Sequence, residues 1–182
     1  TLEKNNNVSF DFGLSHGQFS KEKQLIDIYG EWRYSEAPIL HEKFIYLNLI
    51  NDKYTFSLGL VHSVMWGGEY SSEFGSRKFP VTLENFFKVL IAADGYDEGG
   101  SHQNSLGNHI GIWDFSILKK HDNRLLKLYY QHIFEDTSGL RFANQYDGLW
   151  GFESVNYKSN TNFLIEYLST SNVSAESAYL ND

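Results

Sequence analysis

Between Tyr129 and Glu153 the chain reads YYQHIFEDTSGLRFANQYDGLWGFE, and several of its side chains have types that do chemistry. Glu135 and Asp136 are adjacent carboxylates, the residue types of a glycosidase acid and nucleophile. Neighbours in an extended chain point to opposite faces, so these two alone make a poor acid–nucleophile pair. A second carboxylate would have to come from Asp97 or Asp147. Sugar binding asks for less: flat aromatic faces, hydrogen-bonding groups for hydroxyls, and an arginine to clamp a uronic carboxylate. Trp66, Gln131, Glu135, Asp136, Arg141, Phe142, Asn144, Asp147 and Trp150 supply that inventory. Trp66 and Trp150 suit an interfacial aromatic girdle equally well.

Other chemistries find less support. Gly13-Leu14-Ser15-His16-Gly17 matches the nucleophile-elbow spacing, but that motif needs a helix packed after a strained turn. The following residues read as turn and strand, so a glycine-rich turn is the expectation. The seven histidines form no HExxH pair; His102 and His109 flank one loop without a metal-site spacing. The run Asp94-Gly-Tyr-Asp97-Glu98-Gly-Gly offers oxygen ligands without the calcium-loop pattern. No metal or cofactor is expected, and no catalysis. There is no cysteine, and a net charge of −8 argues against binding nucleic acid.

Strands must position these residues. From Tyr54 to Val64 the even positions are Tyr, Phe, Leu, Leu, His and Val, the odd ones mostly small or polar. Arg124–Phe134, His109–Ile117 and Asn162–Ser169 alternate likewise. Less regular strands are expected at Val8–Leu14, Gln24–Tyr34, His41–Ile50 and Gly148–Tyr157. Tight turns at Asn51–Lys53, Lys119–Asn123 and Lys158–Asn160 alternate with long links at Trp66–Asn108 and Glu135–Asp147. Hairpin parity puts both long links at one end. Within the first link, Leu83, Phe86, Phe87, Leu90 and Ile91 have helical spacing behind a Thr82 N-cap, so an amphipathic helix is expected at about 81–93, stopped at Asp94-Gly95. No run of about eighteen apolar residues is present, which excludes a spanning helix but not barrel strands. The expected fold is all-β: one domain over 1–182, an antiparallel up-and-down membrane β-barrel of about eight strands or part of a larger one.

Four blocks in order, MWGGEY (Met65–Tyr70), LIAADGYDEGG (Leu90–Gly100), LGNHIGIWDFSI (Leu106–Ile117) and LYYQHIFEDTSG (Leu128–Gly139), resemble the capsule assembly protein Wzi family of the bacterial outer membrane. The resemblance covers about Phe56–Gly151. It implies a large closed barrel in outer-membrane lipid, whose cell-surface end binds capsular polysaccharide without catalysis. Matching positions are Trp66-Gly67-Gly68, Asn108, Asp114, Gln131, Glu135 and Asp136, with Asn108 and Asp114 as residues that order the lumen. Family members are much longer and carry an export signal, so an internal fragment is the expectation. Two alternatives stay open: a porin or transporter with an acidic lumen of Asp114, Glu153 and Glu166, and a secreted glycosidase or soluble lectin.

Overall fold

The computed structural model describes residues 6–19, 35–72, 75–93, 106–135 and 137–172; the expected strand at Gln24–Tyr34, the run Asp94–Gly100, His102 and Asp136 lie outside them. The chain is predominantly antiparallel β-sheet. Seven strands form the main sheet in the order β1 (Asn7–Gln18), β3 (Ile39–Ile50), β4 (Tyr54–Trp66), β7 (Asn108–His121), β8 (Arg124–Phe134), β9 (Gly148–Asn156) and β10 (Thr161–Ser169). Three short strands, β2 (Ser35–Glu36), β5 (Gly68–Ser72) and β6 (Gly75–Phe79), make a second sheet that sequence alternation did not announce. A helix α1 (Leu83–Leu90) follows β6, and a single turn α2 (Thr137–Leu140) follows β8. Among the described residues β1 and β10 are the edges of the main sheet, and nothing closes it between them.

Turn chemistry explains the meander. Asn51 Oδ1 accepts from the Lys53 and Tyr54 amides at 2.9 and 2.8 Å, and Asn156 Oδ1 accepts from those of Lys158 and Ser159, so both tight turns are closed by an asparagine. Strands β7 and β8 turn on two residues, with Asp122 left-handed at φ 44°. All three turns lie at one end, and the links β4–β7 and β8–β9 lie together at the other, as parity requires.

The two faces of the sheet differ sharply. One register row carries Phe10, Leu47, Leu58, Phe115, Tyr130, Trp150 and Tyr167 across all seven strands. The adjacent row on the opposite face carries Asp11, Tyr46, Gly59, Asp114, Gln131 and Leu149. On that polar face Tyr46 donates to Asp114 at 3.0 Å, Asn48 to Asp11 at 3.0 Å, and Ser57 to Asn48 at 2.6 Å. Tyr129 donates to Glu166, and Ser15 and Ser63 both donate to Glu42. Gly13, Gly59 and Gly151 of the same face lie under the rings of Phe44, Tyr46 and Tyr129. Residues without side chains let a sheet curl toward that face while the ring restores its packing. Gly13–Gly17 is therefore ordinary strand within β1, neither a glycine-rich turn nor an elbow.

Apolar burial is small. Among the described residues seven apolar side chains are buried while thirty large ones are exposed, including Phe12 at 74% and Leu128 at 58% in the middle of strands. Sixteen of the exposed ones project from the face that carries Phe115, and six (Phe44, Met65, Ile110, Ile133, Leu164 and Leu168) from the other.

Candidate functional site

The conventional core sits at the end that carries the long links, where α1 packs on the apolar face. Thr82 accepts from the Asn85 amide at 3.1 Å and caps the helix; Glu84 and Lys88 pair at 2.7 Å one turn apart. That contact holds the exposed Glu84 carboxyl below its usual range. The helix ends at Leu90, and Ala92 turns left-handed at φ 53°. The sheet side of this core is Ile39, Val64 and Trp66, closed over by Val89, Leu106 and Phe86.

Beneath this cover, and for His132 beneath the β8–β9 link, lie histidines that sequence spacing gave no reason to group. His16, His41, His62, His109 and His132 all project from the apolar face, brought near one end by register alone. His16 and His41 approach through Nδ1 at 3.3 Å. His62 Nε2 lies 2.8 Å from His109 Nδ1, and His109 Nε2 lies 2.8 Å from the Leu106 carbonyl, a chain in which each ring fixes the next. Lys43 donates to the Leu90 carbonyl at the helix end. No group of three histidine or acidic side chains converges on a metal position among the described residues.

The sheet divides the sugar-binding candidates. Gln131 and Asp114 are cross-strand neighbours on the polar face, with Asn108 exposed at the upper end of β7 on that side. The β8–β9 link instead folds down over the apolar face. Its Phe142, left-handed at φ 61°, stacks on His132 at 4.1 Å and on Trp113 at 6.1 Å. His132 reaches the Gly139 carbonyl at 2.9 Å and the Asp147 carbonyl at 3.0 Å, and Trp113 donates to the Leu140 carbonyl at 3.2 Å. Trp150 stacks on Tyr130 at 4.1 Å and donates to the Tyr146 carbonyl at 3.3 Å. Glu135 and Arg141 are exposed, while Asn144 donates to the Ile133 carbonyl at 3.2 Å and its side-chain oxygen is buried without a partner.

Asp147 holds the chain together and faces no open site. Its carboxylate accepts from Ser169 Oγ at 3.0 Å, the Ser171 amide at 3.0 Å, and the Asn172 amide and side chain at 2.6 and 3.3 Å. Burial alone would raise its pKa, but these four donors outweigh it and hold the carboxyl below the usual range. Trp66 is likewise 4% exposed and part of the core, yet its indole N–H is buried without a partner. Trp66 lines a cavity of about 260 Å³ at the loop-bearing end, with Pro38, Gly67, Phe79, Gly107 and Asn108. Gly107 is left-handed at φ 95°, and a side chain there would run into the Met65 carbonyl and Trp66.

No family model, curated protein or solved structure matches the chain.

Proposed function

We propose that the chain is part of the wall of an outer-membrane β-barrel of the Wzi-like capsule-assembly kind, and that its loop-bearing end holds capsular polysaccharide without catalysis. The observation that supports this reading is the bias between the two faces: most of the exposed large apolar side chains of the strands lie on one face, while the middle of the other carries hydrogen-bonded polar and small residues, with Phe44, Met65, Ile110, Ile133, Leu164 and Leu168 as apolar residues among them. Soluble sheets bury their apolar face; barrel walls turn it to lipid and keep polar residues for the lumen. Main-sheet strands of 9 to 14 residues are long enough to cross a hydrocarbon core when tilted. Lipid tolerates no open sheet edge, so β1 and β10 require further strands or each other. Tight turns at one end and long links at the other match the periplasmic and extracellular ends of such barrels.

The polysaccharide part rests on the block order and on the loop-end chemistry. Trp66 and Asn108 line a cavity of about 260 Å³, somewhat below the roughly 300 Å³ lower bound of drug-sized sites. Arg141 is exposed on the β8–β9 link at the same end of the sheet, and a guanidinium can hold a carboxylate bidentately. The test uses full-length protein in its capsulated host, comparing wild type with Asn108→Ala and Arg141→Ala for cell-bound against shed capsule. Shedding at unchanged levels of protein in the outer membrane supports an anchor. Unchanged retention in both variants refutes it.

A second reading, a cation-selective porin, is favoured by the carboxylates of the polar face: Asp11, Glu42, Asp114, Glu153 and Glu166. It predicts single-channel conductance whose cation preference falls in Asp114→Asn, with no capsule phenotype.

A further inference from the structure

The apolar face is not uniform. Between β4 and β10 it holds a groove of about 620 Å³, floored by Phe115, Leu128, Tyr130 and Phe152 and walled by Phe56 and Ile165. Its edge toward the tight-turn end is formed by Ile117 and Leu128, one strand step short of Lys119 and Leu126. There the face changes character: Lys119 follows Ile117 two residues along β7, and Arg124 follows His121 across the turn, all projecting on this same face. Lys119 stands two residues, roughly 7 Å, beyond Ile117, within reach of a lysine stem lying along the apolar surface, and Arg124 stands four residues, roughly 13 Å, beyond Leu128. Lys119 Nζ lies 5.8 Å from the centroid of the Tyr54 ring, its cross-strand neighbour on β4.

The wider charge distribution agrees. The whole chain carries −8, yet on this face and in the tight turns the described residues include Lys53, Lys119, Arg124 and Lys158 against Asp52 and Asp122, while Lys120 and Lys127 project from the opposite face, where Lys127 is paired with Glu153 across the strands. An apolar groove opening onto a cationic rim complements one occupant, a molecule with an acyl chain and an anionic phosphate head.

We propose that this groove is a binding site for an anionic phospholipid, its acyl chain between β7 and β10 and its phosphate between Lys119 and Arg124. The inference rests on the membrane reading above and deepens it, because tight turns face the leaflet made of phospholipid. Lipid held there covers exposed Phe115, Leu128 and Ile165 with a fixed chain in place of bulk lipid. It also sets the vertical position of the barrel.

The test takes the full-length protein through two steps. First, its insertion into vesicles of phosphatidylcholine alone and of equal parts phosphatidylcholine and phosphatidylglycerol is measured by flotation and protease protection. Second, the inserted protein is extracted in mild detergent, and retained lipid is weighed by native mass spectrometry for wild type, Lys119→Gln/Arg124→Gln, and Lys53→Gln/Lys158→Gln. The proposal expects retained phosphatidylglycerol in the wild type and affinity lower by about thirty-fold in the first variant, since each basic contact contributes roughly five-fold. It expects little change in the second, whose lysines lie in the turns. Insertion without preferential phosphatidylglycerol, or equal loss in both variants, overturns the lipid site and leaves the barrel reading standing. Failure to insert into either vesicle overturns both.

Discussion

Gly59 sits in the middle of the polar face with the Tyr46 ring laid across it, and that ring delivers its hydroxyl to Asp114 at 3.0 Å. Adding a methyl by Gly59→Ala places a carbon 2.6 Å from Tyr46 Cδ1 and 2.7 Å from Cζ, so the ring must swing away. The swing breaks a hydrogen bond to a charged acceptor, worth about 1.5–3 kcal/mol. It also forces the ring off its rotamer at a cost of roughly 1 kcal/mol. Alanine recovers about 0.5–1 kcal/mol of the backbone entropy that glycine loses in a strand. The net expectation is a loss of about 2–3 kcal/mol. Tyr46→Phe removes the hydrogen bond alone and should cost about 1.5–3 kcal/mol. In a Tyr46→Ser background the methyl has room, so Gly59→Ala becomes neutral or slightly stabilising, a coupling of about 2 kcal/mol or more. Urea unfolding of the full-length protein in lipid vesicles, followed by tryptophan fluorescence, measures all four corners of the cycle. Equal cost of Gly59→Ala in both backgrounds would refute the covering role of Tyr46.

Two more perturbations address the β8–β9 link. Phe142→Ala removes a ring that is 38% exposed, stacked on His132 and Trp113 and tilted against Phe115, so roughly 2 kcal/mol of local stability goes with it; hydrogen exchange at the amides of Phe142 and Gln145 should accelerate about thirty-fold while that of the sheet stays unchanged. For Asp147 the folded pKa lies below the unfolded one, so its contribution is complete above the unfolded value of about 4 and is lost as pH falls through the folded one. Asp147→Asn should therefore be less stable than wild type at neutral pH, with the gap in urea midpoint narrowing below about pH 4; a gap independent of pH would contradict the clamp.

How much of this was readable from the residues depended on range. Alternation located β4, β7, β8 and β10, less regular runs located β1, β3 and β9, and Thr82 with its spaced apolar residues located α1, because these patterns are local. Parity of short and long connections placed both links at one end. Gly68–Phe79 hid a hairpin because its run of glycine, serine and charge carries no period. Gly13–Gly17 invited a turn because the ring that fills the space beside Gly13, Phe44, comes from the neighbouring strand. The same dependence on register hid the histidines: separations of 25, 21, 47 and 23 residues mean nothing until the strands are aligned. Register also put Gln131 and Asp114 on one face and Phe142 and Trp150 on the other, so an inventory drawn from a single stretch became two separate surfaces.

The central claim is that the apolar face meets lipid and the polar face does not. Ser116 and Ile117 are consecutive in β7, on opposite faces, and Ile117 is 44% exposed. The direct measurement compares Ser116→Arg with Ile117→Arg in the full-length protein folded into phosphatidylcholine vesicles. A barrel wall predicts that Ile117→Arg costs about 2–4 kcal/mol near the bilayer centre while Ser116→Arg, facing the lumen, costs far less. If Ile117→Arg is harmless and makes the protein soluble without detergent, the sheet does not belong in a membrane.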